Sequence, residues 1–330
     1  MLKYIIKRLA LSVLILLGVS LIIYFLVRCM PVSFIDDKIA QMNQGGATIP
    51  EETIQSMKEL YGLTDNSFLG ILKGYGSWLL SMCKLDFGTS FKYGIPVIDV
   101  IQKYMGVSFA VALIATVFEF LIAIPLGITA ATHQYSIRDY VVTVIVMIGI
   151  SLPSFFFAQI LKDILSMKLG WFPPSGLEDA TMSYTGIMLI LDYLRHMFIP
   201  ILTVVILSIG GRMRMTRTNM LEVLSSDYIR TARAKGLKEK TVIYKHAFRN
   251  TLIPLVTSLA GLLPSLFSGA IITEQVFDLP GIGNKAFAAM ISADIPLIMG
   301  YNMFLALLSV IGVLLADLMY AVVDPRVKLQ

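Results

Sequence analysis

Six stretches of about 20 apolar residues, at 9–28, 106–131, 140–161, 197–216, 251–273 and 299–322, set the terms on which this chain can fold. Each is long enough to cross the hydrocarbon core of a bilayer, about 30 Å thick, as an α-helix. Helices are the form such runs must take, because lipid offers no partner for an unsatisfied backbone group. Composition agrees, with 56% hydrophobic and 15% charged residues and a mean hydropathy of +0.77. The expectation is an all-α polytopic membrane protein with six transmembrane helices. The first run continues without a small-residue cleavage site, so 1–28 reads as an N-terminal segment with a retained first helix rather than a signal peptide.

In such a chain the distribution of Lys and Arg carries more information than the net charge of +5, which implies orientation here and not nucleic-acid binding. Lys3, Lys7 and Arg8 precede the first run, Arg138 lies in the second connection, and Arg326 and Lys328 sit near the C-terminus. The positive-inside rule therefore puts both termini in the cytoplasm. It leaves 29–105, with eight acids and six lysines, as a small extracytoplasmic subdomain, and 106–330 as a five-helix core. Thr48 with Glu51 makes a capping box, Pro50 suits a first turn and Gly62 a terminator, so 49–61 reads as a helix; a second, amphipathic helix is expected over 68–85. Cys29 and Cys83 both fall outside; two unpaired thiols are the preferred reading and one disulfide the alternative.

The same topology places 212–249 inside. There ten basic residues, Arg212, Arg214, Arg217, Arg230, Arg233, Lys235, Lys238, Lys240, Lys245 and Arg249, face three acids, Glu222, Asp227 and Glu239. Within it, "SSDYIRTARAKGL" has the punctuation of a short helix: Ser226 or Asp227 to cap it, Tyr228 to Lys235 as its body, and Gly236 to end it in the left-handed conformation. Arg230 and Arg233 share a face, while Ala232 and Ala234 keep it slim. A second helix from about 238 to 250 would run on into the fifth crossing, making 217–250 a compact knob joined stiffly to two spans. A plain topological role for the charges would not require caps, small residues and a placed glycine.

"DYIRTARAKGL" followed by "HAFRNTLIPL" resembles the cytoplasmic loop of permease subunits of ATP-binding-cassette (ABC) importers, which carry a Glu-Ala-Ala triplet, three residues and a Gly. Arg230-Thr231-Ala232 stands in place of the triplet and Gly236 keeps the spacing. The general pattern then has Ile-x-Leu-Pro, whereas this chain has His246-Ala247-Phe248-Arg249 with Pro254 further on, a departure shared with the peptide and nickel class. "LDFGTSFKYGIPVIDVI", "SLPSFFFAQIL", "LGWFPPSG", "DLPGIGNKAF" and "DPRVKL" look like signatures, in order, of the oligopeptide or dipeptide permease family whose members begin with a long external loop. That resemblance implies the type I ABC importer permease fold in a bacterial inner membrane and a peptide cargo, with relatives that handle dipeptides, longer peptides, nickel chelates or haem. It implies a heterodimer with a second homologous permease, two ABC ATPase subunits beneath, an extracytoplasmic peptide-binding protein and a surround of membrane lipid. The residues it assigns to ATPase coupling are Asp227, Tyr228, Arg230, Thr231, Ala232, Arg233, Ala234, Lys235, Gly236 and Leu237. ATP and Mg²⁺ then belong to the partners, and this chain binds no cofactor and is not itself an enzyme.

The sequence holds no G-x-x-x-x-G-K-[ST] and so lacks a phosphate cradle. His133, His196 and His246 lie apart, without Cys or acidic partners at ligand spacing, so no metal site is expected. Glu119 and Asp317 fall inside crossings, where an ionisable group is a functional candidate. As a proton relay they would make a gradient-driven secondary transporter, the rival reading; as packing bonds they would only fix neighbouring helices. Pro125, Pro153, Pro200, Pro254 and Pro264 lie in or beside the spans and bend them. Ser151, Pro153, Ser154 and Phe155 are candidates for the pathway or its gate, against plain lipid-facing aromatics. "LGWFPPSG" and "DLPGIGNK" are expected as tight external turns that meet the binding protein or shape the rim.

Overall fold

A computed structural model describes residues 2–28, 67–179, 181–257 and 261–323. The helices are α1 (Leu2–Arg28), α2 (Phe68–Cys83), α3 (Val97–Thr132), α4 (Ile137–Ser151) and α5 (Ser154–Lys162), which continues as a π-helical segment (Asp163–Lys168). Then come α6 (Ile187–Leu224), α7 (Asp227–Ala234) and α8 (Glu239–Thr241), which passes through a π-helical segment (Val242–Phe248) into α9 (Arg249–Thr257). The rest are α10 (Leu262–Ser268), α11 (Ile271–Val276), α12 (Ile282–Ser292) and α13 (Ile295–Val323). The capping box, the helix expected at 49–61 and Cys29 lie outside the described residues; Cys83 is exposed.

Among the described residues four helices are long and apolar enough to span a membrane: Ile6–Leu26 of α1, α3, α6 and Ile295–Asp317 of α13. The expected third crossing is α4 with α5, bent by 98° at Leu152 and Pro153, either a broken span or a re-entrant loop. Pro153, within the break, has no amide donor and a fixed φ, which stops α4 from continuing. The expected fifth crossing, 251–273, is not one unbroken helix: α10 and α11 are parted by non-helical backbone at Gly269 and Ala270. α3 and α6, at 36 and 38 residues, run well past the crossings expected at 106–131 and 197–216.

The contacts divide the chain chiefly into Met1–Met105 with Lys285–Val310, and Gly106–Asn284 with Ile311–Leu329. In the first unit α2 packs on α1 through Tyr24, Tyr75 and Trp78, whose ring centroids lie 5.6 to 6.3 Å apart, and Ser20 and Tyr75 share a 2.8 Å hydrogen bond. A tight hairpin at 88–97 is pinned by the fully buried Asp294. That carboxylate accepts from the Ser90 hydroxyl, from the Phe91 and Lys92 amides at 3.0 and 3.1 Å, and from the Leu297 amide at 3.3 Å. One side chain thus caps α13 and anchors the hairpin, which removes the cost of burying its charge unpaired.

In the second unit α3, α4 and α6 meet through small residues. A Cβ on Gly127 would stand 2.6 Å from the Thr216 Cβ, and one on Gly210 would stand inside the Ile150 side chain. Lipid is as apolar as a side chain, so spans associate through such close packing and through polar bonds between helices. Two bonds of that kind are present: Arg217 clasps Asp139 at 2.9 and 2.8 Å, and Arg212 reaches Glu119 at 3.0 Å.

Candidate functional site

The basic hairpin folds as the spacing implied. α7 has eight residues, too short to be stable alone in water, and is held by its apolar face: Ile229 is fully buried and Ala232 nearly so. They join a cluster with Ile128, Ala131, Met220, Val242 and Ala247, so α7 is bonded through packing to α3, α6 and the π-helical segment. Fully burying an isoleucine from water contributes about 1.5–3 kcal/mol. Ile229, absent from the coupling residues assigned on resemblance, is the anchor; the i, i+3 pairing of Ile229 with Ala232 was the signal for it.

The C-terminus of α7 closes as a Schellman motif. The Gly236 amide donates to the Arg233 carbonyl at 2.9 Å and the Leu237 amide to the Ala232 carbonyl at 3.4 Å, with Gly236 at φ 74°. Nothing lies within 4 Å of where a Gly236 Cβ would stand, so only the backbone conformation demands glycine there. At the other end Ser226 holds the N-cap position, yet its hydroxyl donates back to the Val223 carbonyl at 2.6 Å and caps nothing. Asp227 is the first helical residue and pairs loosely with Arg230 at 3.7 Å.

Asp227, Tyr228, Arg230, Thr231, Arg233, Ala234, Lys235, Gly236 and Leu237 are exposed, whereas Ala232 turns inward. Two exposed residues are tied to the next element: Arg233 forks onto Glu239 at 2.7 and 3.2 Å, and the Asn250 amide donates to the Tyr228 hydroxyl at 2.9 Å. The hydrogen bond from Arg233 holds the Glu239 carboxyl below its ordinary value, and the reciprocal bond raises the Arg233 guanidinium. Beside this pair opens a cavity of about 580 Å³ walled by His133, Gln134, Leu221 and Leu224. The expected second helix from 238 is present, but Val242–Phe248 is wound as a π-helix.

The intramembrane candidates separate. Glu119, 8% exposed, is held by Arg212, whose guanidinium also lies 4.5 Å from the Phe120 ring centroid. Asp317 is half-buried on α13. Of the pathway candidates, Ser151 donates to the Met147 carbonyl at 2.8 Å, Pro153 precedes α5, and Phe155 is 58% exposed. Ser154 lines a cavity of about 440 Å³ together with Ser208 and the segment Gly269 to Thr273.

The Pro- and Gly-rich turns pack on each other. The Gly176 amide donates to the Phe277 carbonyl at 2.9 Å, and Phe172 and Leu177 border the cluster that holds Phe277 and Leu279. Only the first half of "DLPGIGNK" is a turn; α12 starts at Ile282. Sequence reading missed the group that shapes it, Glu274, 1% exposed. Its carboxylate accepts from the Ser108 hydroxyl at 2.6 Å and the Asn284 amide at 2.8 Å. A Cβ on Gly269, Gly281 or Gly283 would stand 2.5, 2.3 or 2.9 Å from its oxygens, so three glycines wrap one buried carboxylate. Histidine needs a correction as well: His196 does have an acidic partner, Asp192, one turn back at 3.3 Å. Among the described residues no three metal-binding side chains cluster.

A family model for the "Binding-protein-dependent transport system inner membrane component" matches residues 123–329. The oligopeptide transport system permease protein AppB of Bacillus subtilis (strain 168) is 36% identical over 333 residues, covering 99% of this chain and 100% of that one. The dipeptide transport system permease protein DppB of Escherichia coli (strain K12) is 32% identical over 346 residues, with 99% of each covered. In solved structures, the MetNI methionine ABC transporter in inward facing conformations matches with a TM-score of 0.51 at 16% identity, over 69% of this chain and 97% of that one. The last likeness speaks for the fold, the others for descent, and together they make this chain a member of the family of inner membrane components of binding-protein-dependent transport systems.

Proposed function

We propose that this chain is the transmembrane subunit of an ATP-driven peptide importer, taking up oligopeptides or dipeptides as its relatives AppB and DppB are named for doing. It forms half of the translocation pathway in a bacterial inner membrane, with both termini and α7 in the cytoplasm. A second, homologous permease completes the pathway, an extracytoplasmic binding protein delivers the peptide, and two ATPase subunits carry the ATP and Mg²⁺. The described helices and the 29–105 segment then make up a six-span permease with an outer subdomain.

The observation that carries this reading is α7. Its exposed face presents Arg230, Thr231 and Ala234 outward, its buried face is seated on three elements, and its end is locked by Gly236. A helix about 12 Å long at 1.5 Å per residue, held that firmly, transmits a push to α6 and α9 instead of absorbing it. The cavity beside Arg233 and Glu239 offers a socket for a side chain of the motor. The test is reconstitution of the co-expressed complex: ATP-dependent uptake of labelled di- to penta-alanine is expected, and none from the permease without its ATPases. Replacing Arg230 and Arg233 by Glu should lower ATPase copurification; an undiminished complex sinks the docking assignment.

A further inference from the structure

Two interrupted helices meet at one cavity. The first interruption is the 98° bend between α4 and α5, and Ser154, the first residue after it, lines the cavity. The second lies between α10 and α11, where Gly269 (φ 71°, ψ 156°) and Ala270 (φ −88°, ψ 77°) leave helical geometry, and both line the same cavity. α6 adds Val204, Leu207 and Ser208 to the same lining, close to the middle of the 197–216 crossing. Non-helical backbone at membrane depth persists only where protein covers it or water reaches it, and paired breaks in apolar segments mark where a transporter handles its cargo.

The second break is built in. Glu274 and the Gly283 amide press on Gly269 so closely that a Cβ there would stand 2.5 and 2.9 Å from them. The carboxylate is taken up by the Ser108 hydroxyl and the Asn284 backbone amide, and Glu274 is not among the residues that line the cavity. The lining is neutral: Ser154, Ser208 and Thr273 with their hydroxyls, the main chain at Gly269 and Ala270, and the apolar side chains of Ile272 and its neighbours, with no charged residue among the described lining. Such a surface hydrogen-bonds weakly and discriminates little between side chains, which suits a chain of amides whose side chains vary and does not suit an ion.

We propose that this cavity, between Ser154, Ser208 and Gly269 to Thr273, is a stretch of the pathway wall that touches the main chain of the peptide in transit; the proposal rests on the importer reading. The test uses the assembled complex in nanodiscs, with Cys29→Ser and Cys83→Ser as background. Ile272→Cys, whose parent side chain is 47% exposed, is compared with Phe198→Cys, 44% exposed in an apolar groove of unbroken helices. A charged maleimide, which reacts with thiolates in water, should label Ile272→Cys many-fold faster than Phe198→Cys. A mixture of di-, tri- and tetra-alanine with the binding protein should slow only the former several-fold. Labelling of Ile272→Cys by lipid-soluble maleimide alone, which would mean lipid or the second permease fills the cavity, overturns the proposal, as does a labelling rate that peptide leaves unchanged. Failure of the importer reading shows separately, as absent peptide uptake by the same complex.

Discussion

Gly236 is held to glycine by its dihedral angle alone, which makes it a clean probe of the coupling role proposed for α7. Gly236→Val must place a β-branched residue at φ 74°, at a cost of about 1–2 kcal/mol or more. The cheapest relief is to open the Schellman turn. Uptake per ATP hydrolysed should fall several-fold in Gly236→Val, with ATPase copurification and membrane insertion kept; Gly236→Asn, which tolerates the left-handed region, should lose little. A Val variant with wild-type coupling would show that the turn does not matter. Arg233 and Glu239 give a pH-dependent companion experiment. Because the folded carboxyl titrates below its ordinary value of 4.5, the pair stabilises the hairpin in full above that value and loses its effect as pH falls through the lowered one. Both side chains are about half exposed, so its contribution is of the order of 0.2–1 kcal/mol. The gap in thermal midpoint between wild type and Glu239→Gln should be small near neutrality and close in acid; a gap that widens in acid contradicts the assignment.

Elements, unlike single residues, answer to packing. α7 is anchored by Ile229, and Ile229→Ala should cost about 2–5 kcal/mol, loosening the hairpin to limited proteolysis and cutting uptake before the spans themselves unfold. Ile229→Val should cost only about 0.5–1.5 kcal/mol and keep uptake; equal damage from both would deny a packing role. Much at this scale was legible: the helix and its glycine stop in the basic loop, α2 at 68–83, and the apolar runs behind α1, α3, α6 and α13 all follow from local pattern. What hid was set by contacts distant in sequence. Glu274 looks like an ordinary acid until Ser108 and Asn284 close on it from 166 and 10 residues away. The break at Gly269 could not be read either, because a lone Gly in an apolar run is tolerated in spans, and only its positive φ and the close approach of Glu274 and Gly283 make it obligatory. Arg217 was visible only as one of the basic residues that orient the chain, and its partner Asp139, 78 residues away, gave no signal in the sequence.

At the scale of the whole molecule the issue is where the energy for transport enters. A chain that runs on an ion gradient needs a titrating or ion-binding group that alternates between two sides. The acid in the second crossing is instead joined to a permanently charged guanidinium, Glu119 to Arg212 at 3.0 Å, on helices that already pack through Gly127 and Thr216. That makes the pair a fastening between α3 and α6, and the two roles give opposite results on neutralisation. As a fastening, Glu119→Gln faces a buried charge with a neutral amide; breaking such a pair costs about 3–5 kcal/mol. The double variant Glu119→Gln/Arg212→Gln should recover part of that stability, and peptides carried per ATP should stay within twofold of wild type in whatever complex survives, about 0.4 kcal/mol on the ratio. As a relay, Glu119→Gln would leave stability alone and abolish transport. The measurements are the thermal midpoint of the purified complex and the uptake-to-hydrolysis ratio in liposomes, with and without an imposed proton gradient. Wild-type uptake that follows the gradient and ignores ATP would place the engine inside this chain; uptake that follows ATP at every gradient leaves Glu119 holding two helices together while α7 receives the stroke.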